Sequence, residues 1–148
     1  MKKPFLAMTL AVYLGLFSFA LHAQSVTINL EAVNGKDGKP MPHQRLLVFM
    51  GDSQEDVSLH KQSQDVTTDE HGHAVLQIPK TTIQWMQVFV DYRTLCQAEP
   101  NRRSFSLAKI VESGEATPND CSSLRKELKP NQLVVFARSA TLREKRNW

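Results

Sequence analysis

The chain has 148 residues, 41% of them hydrophobic, with 18 Lys+Arg against 15 Asp+Glu and a formal charge of +3 at pH 7. That length fits one domain able to bury a sizeable core. Setting aside Lys2 and Lys3, which belong to the leader described next, leaves 16 basic against 15 acidic residues and a charge of +1, a balance that calls for no nucleic-acid partner.

The leader reads "MKKPFLAMTLAVYLGLFSFALHAQS". Lys2 and Lys3 form a positive start, residues 5–21 are largely apolar, and small Ala23 precedes Gln24. This is the pattern of a secretory signal peptide over residues 1–23. The run approaches membrane-spanning length, so a retained anchor is the rival reading. The small residue at the break and the lack of basic residues directly after the run favour cleavage. Gln24 in place of a cysteine argues against a lipid-anchored start. No second apolar stretch is long enough to span a bilayer. Residues 24–148 are therefore expected as one exported domain, periplasmic or extracellular, with no membrane contact after cleavage.

Residues 25–33, "SVTINLEAV", alternate Val26, Ile28, Leu30 and Ala32 with polar partners, which predicts a strand with one buried face. "NGKDGKPMP" is turn chemistry, because Gly and Asn tolerate positive φ. Residues 44–50, "QRLLVFM", predict a more buried strand. Residues 51–65 are polar and aperiodic; they read as a loop, with at most a short strand at 57–59. "DVTTD", "EHGH" and "AVLQIP" then read as strand, turn and strand, a hairpin with Gly72 at the left-handed position. His71 and His73 would sit at its solvent-facing tip. Residues 81–92 are apolar on both faces, which predicts a central strand with Trp85 packed in the sandwich.

Beyond Cys96 the texture changes. Residues 104–114, "SFSLAKIVESG", predict a helix, with Ser104 or Ser106 as its cap, Leu107, Ile110 and Val111 on one face and Gly114 at its end. "SSLRKELKPN" predicts one helical turn before Pro130, and residues 133–137 a closing strand. The tail carries Arg138, Arg143, Lys145 and Arg146, and reads as a solvated end. Trp148 is expected to dock onto the sheet. Cys96 and Cys121 are the only cysteines, and in an exported chain an even count predicts one disulfide between them. About five to seven strands with turn signals at strand spacing predict a mainly β fold, a single antiparallel β-sandwich with one short helix in the C-terminal third.

Three motifs carry a family resemblance. An opening strand meets Gly38-Lys39-Pro40, a second strand follows, and Thr68-Asp69-Glu70-His71-Gly72 precedes an apolar strand. Over residues 26–92 the chain resembles a transthyretin-like, or carboxypeptidase regulatory-like (CnaB-type), β-sandwich. Residues 96–148 form a Cys-helix-Cys extension that resembles exported bacterial proteins of unknown function. Some domains of this group carry an internal Lys–Asn isopeptide bond; residues 25–33 hold no lysine and 133–137 no asparagine, so none is expected. The hydrolase branch ends in Tyr-Arg-Gly-Ser, whereas this chain ends "REKRNW", so the resemblance implies no such activity.

The chemistry-bearing residues are few. Zinc takes three or four ligands in tetrahedral array. His71 and His73 are the metal candidates, with Asp69, His60 or His43 to complete a set, set against a polar tip that serves only the backbone. Nucleophilic catalysis needs a nucleophile, a base and an orienting group in register; there is no "GxSxG", and paired cysteines are not nucleophiles. "NGKDGKP" precedes no strong helix and so is no phosphate loop. The expectation is a non-catalytic module without cofactor, for recognition or structural support at the cell envelope, contacting protein or glycan. The polar segment 51–65 is the first place to seek that partner surface. The rivals are a small exported enzyme or metal protein using His71 and His73, and an inhibitor of an extracellular enzyme.

Overall fold

A computed structural model of the chain describes residues 25–79, 83–91, 93–97 and 103–139. The leader 1–23, Tyr92 and the tail from residue 140, with Trp148, lie outside the described residues. Within them the chain forms nine strands and two short helices. The fold is mainly β, with two sheets packed face to face as the alternation predicts.

The first sheet is built around β1 (Ser25–Asn34) and β9 (Gln132–Ser139). β4 (His73–Pro79) pairs antiparallel with β1, and β6 (Arg93–Leu95) antiparallel with β9. β1 and β9 run parallel, in the register Leu30 to Leu133. The two-residue β8 (Glu115–Ala116) also joins β9 in parallel. The second sheet has the order β3 (Gln62–Thr67), β2 (Arg45–Gly51), β5 (Trp85–Val90), β7 (Phe105–Ser106), all antiparallel. β5 is thus interior to its sheet, as its two apolar faces predict.

Strict alternation fills the space between the sheets. β4 buries Ala74, Leu76 and Ile78 and exposes His73, Val75 and Gln77. Ile28 and Leu30, Leu46 and Val48, Met86 and Val88, and Leu133 and Val135 complete the same core. Each fully buried side chain of this size contributes roughly 1.5–3 kcal/mol. The helix α2 (Leu107–Ser113) bridges the layers. The Leu107 N–H donates to Gln84 O beside the second sheet, and Ile110 O accepts the Asn131 N–H that leads into β9. α2 is shorter than predicted, because Phe105 and Ser106 are extended and pair with β5. Ser106 takes the cap position without a side-chain bond, and Gly114, at φ 76°, ends the helix.

Four local expectations need correction. The segment 51–65 is not a loop: α1 (Gln54–Ser58) occupies its middle and β3 its end. Ser53 caps α1 by accepting the Asp56 N–H, and Val57, read as a possible strand residue, is the buried side of that helix. Next, "TTDEHGH" is not a hairpin turn. β3 and β4 belong to different sheets, so the turn is an arch from one layer to the other. The arch carries the chain from β3, where Val66 pairs with Leu46 in the second sheet, to β4, where Leu76 pairs with Ile28 in the first. Thirdly, residues 122–129 form no helix; Ser122, Leu124 and Lys126 face inward while Ser123, Arg125 and Glu127 face out, which is a period of two. Finally, Trp85 is only half-buried, and Met86 takes the core position.

Candidate recognition face

The arch answers the question posed by His71 and His73. Asp69 Oδ1 accepts the backbone N–H groups of both histidines, each at 2.8 Å. The N–H of His73, and then that of His71, hold the Asp69 carboxyl below its usual range. Gly72 has φ 79°, and a Cβ there would lie 2.6 Å from Ala32 O. The Thr68 hydroxyl accepts the Gln44 N–H and donates to Met41 O. Thr68, Asp69 and Gly72 therefore build the turn, and the two imidazoles project into solvent. His43 is exposed, and His60 lies on the other sheet. Among the described residues no group of three or more His, Cys, Asp or Glu is placed to hold a metal ion.

The Cys-containing extension covers the outer face of the first sheet over β9 and the end of β1. Cys96 and Cys121 are joined by the predicted disulfide, with Cα atoms 5.2 Å apart. Val33, Val134 and Phe136 point away from the main core and are roofed by Cys121, Ala116 and Leu124. This second cluster explains why β9 is apolar on both faces. Asn119 organises the roof: its amide donates to Gly35 O and Leu124 O, and its Oδ1 accepts the Cys121 N–H. Lys126 and Gln132 both bind the Glu31 carboxylate. A cleft of about 600 Å³ beside the disulfide is bordered by Lys36, Asp120 and Arg138.

The outer face of the second sheet is covered by α1 at the Gly51 end, where Gln87 is buried, and is exposed toward the Arg45 end of β2. Arg45, Leu47 and Phe49 point outward there, opposite Asp65 and Ser63 on β3 and Phe89 and Gln87 on β5. His60 follows α1 with φ 54°, a left-handed backbone that turns its ring back over the sheet. It stacks on Phe49 with centroids 4.0 Å apart, and Phe89 meets both rings edge-on at 5.4 and 5.7 Å. Four residues from Phe49 along β2, Arg45 Nε donates to Asp65 Oδ2 at 3.1 Å and Nη1 to Asp91 Oδ2 at 3.1 Å. Asp65 above all, then Asp91, hold the guanidinium still more firmly charged than usual. The result is a platform of three rings in mutual contact beside a row of charge pairs. Residues 51–65, expected as a recognition loop, contribute His60 and Asp65 to it. Phe49, Phe89 and Arg45 escaped sequence reasoning, although outward apolar positions on 44–50 and 81–92 were the signal for them.

A carboxylate pair sits at the end of this sheet. The neighbouring Asp52 carboxyl first, then the Lys61 ammonium and the Ser53 hydroxyl that donate to it, lower the Asp56 pKa to about 2. The Asp56 carboxylate in turn raises Asp52. The stability that Asp56 contributes is present above its unfolded value of about 3.9 and lost as pH falls through about 2. Asp52 acts the opposite way: its contribution is full below that unfolded value and lost as pH rises through its raised folded value. Asp52→Asn keeps an amide donor toward Asp56 and removes a like charge. Its melting temperature is expected above wild type at pH 7, with the gap closing below pH ~4. Thermal scans across pH check this; a variant less stable than wild type at pH 7 contradicts it.

No helix of the described residues is long and apolar enough to cross a membrane. No family model, curated protein or solved structure matches this chain.

Proposed function

We propose that the chain is an exported, transthyretin-like recognition module without catalytic activity, which binds its partner at the cell envelope through the outer face of the four-stranded sheet. The observation that carries this reading is the Phe49–His60–Phe89 cluster beside the Arg45 fork. Rings held by one another, and charges held in pairs, lose little side-chain entropy when a ligand arrives. Aromatic and Arg side chains are the residue types that anchor recognition. Export is supported by the leader pattern and by the Cys96–Cys121 bond, which belongs in an oxidising compartment. The family reading is supported by the Gly38-Lys39-Pro40 turn and by the Thr68–Asp69–Gly72 motif, whose residues build the arch. The extension roofs the other sheet's outer face over β9, and α1 covers the Gly51 end of this one, which leaves the row from Phe49 to Arg45 presented to a partner.

The test is retention of labelled residues 24–148 by isolated envelopes of the producing cells. His60→Asn keeps a residue that tolerates positive φ and removes the ring. Combined with Phe89→Ala it is expected to cut retention about tenfold, a loss of roughly 1.4 kcal/mol. Val75→Asp, on the outer face of the other sheet, should be retained like wild type. Equal retention of the ring variant and wild type would move the partner surface elsewhere.

A further inference from the structure

We infer that the partner of this face is a neutral saccharide chain. The inference rests on the recognition reading above and names the ligand class of the same surface. The first argument is charge. Arg45 lies between Asp65 and Asp91, and at the sheet end Lys61 is paired with Asp56. No unbalanced cationic row is presented, so an anionic glycan or phosphate finds no counter-charge. The second argument is shape and chemistry. A pyranose ring has an apolar C–H face and a rim of hydroxyls, and it needs an aromatic surface with charged or amide groups at its edge. His60 offers an exposed ring face, fixed from beneath by Phe49 and from the side by Phe89.

The polar rim is placed to match. Leu47 and Phe89 are directly paired across the strands, and Arg45 lies two residues along from Leu47, about 7 Å away. From Phe49 to Arg45 is four residues, about 13 Å, which spans two to three sugar units. Arg45 engages Asp65 through Oδ2, while a carboxylate offers about four acceptor sites. The Asp65 side chain is 45% exposed, so acceptor capacity remains for a hydroxyl pair. The third argument weighs against a protein. A stable protein interface buries roughly 800 Å² per partner around an apolar core depleted of charge. Here the half-buried apolar part is Leu47, Phe49 and Phe89, with the charged row directly beside it.

Affinity electrophoresis of residues 24–148 through gels containing a soluble β-glucan, α-glucan, galactomannan or polygalacturonate tests the idea. At least one neutral polysaccharide is expected to retard the protein, equally at low salt and at 0.5 M salt. His60→Asn should weaken that retardation about tenfold, and isosteric Asp65→Asn several-fold, with Val75→Asp unchanged. Retardation by polygalacturonate alone overturns the proposal. So does absence of retardation in every gel. If envelope retention by this face persists in that case, the recognition reading stands with a protein partner; if retention is also absent, both readings fall.

Discussion

Phe136→Ala is expected to lower the unfolding free energy by about 3–5 kcal/mol, the range for truncating a buried aromatic ring. Phe136 lies on β9, points to the outer side of the first sheet and is only 2% exposed. Its cover is the extension, through Cys121 and Leu124, and not the opposite sheet. The cavity would be hard to close, because the roof is pinned on several sides. The Phe136 N–H donates to Thr117 Oγ1 at 2.8 Å, the Thr117 N–H donates to Val134 O at 2.9 Å, and Asn119 ties the roof to Gly35. Domains of this size are stable by only about 5–15 kcal/mol, so the variant would be marginal at 37 °C. Urea unfolding measures it: the midpoint should fall with little change in slope. A loss below about 1 kcal/mol would mean the extension does not pack on Phe136. Val75→Ala, at a side chain 56% exposed, should shift the midpoint by no more than about 0.5 kcal/mol.

The second cluster also marks the limit of what the sequence makes legible. Period-two alternation placed β1 and β4, and compact apolar runs placed β2 and β9, all to within a residue or two. The turn residues at the arch were equally legible, since Asp69 and Gly72 serve the local backbone. Sheet membership was not. The same "TDEHG" chemistry closes a hairpin or an arch, and the choice depends on Thr67 pairing with Arg45 and His73 with Glu31, far away in sequence. The parallel pairing of β1 with β9 is likewise a long-range fact. Residues 122–129 hold good helix formers, yet Asn119, Leu124 and Lys126 find partners only in extended chain, and tertiary contacts override propensity. α1 has one buried residue in five, too few for a period to show. The candidate recognition face was legible only in part: the segment 51–65 held His60 and Asp65, but the apolar residues of 44–50 and 81–92 read as buried strands, and the turn that lays His60 on Phe49 could not be read from local pattern.

Cys96→Ala/Cys121→Ala is expected to cost about 3 kcal/mol, or roughly 10 °C in melting temperature. The two cysteines are 25 positions apart, and the bond shortens the loop available to the unfolded chain. Alanine is the right replacement, because Cys96 is 1% exposed beside Val33 and Phe136 and a serine hydroxyl would lack a partner there. Hydrogen bonds that do not involve sulfur already hold both ends: Asp120 N–H to Cys96 O at 2.7 Å, Cys96 N–H to Phe136 O at 3.0 Å, and Cys121 N–H to Asn119 Oδ1 at 3.2 Å. The staple therefore acts chiefly on the unfolded ensemble, and the extension should stay docked without it. Two measurements separate the alternatives. Denaturant melts should show the loss, while native-state trypsin cleavage after the exposed Arg125 should be no faster than in wild type. Rapid nicking at Arg125 in the folded variant would instead make the bond a clamp on the native segment, with the Asn119 network too weak to hold it.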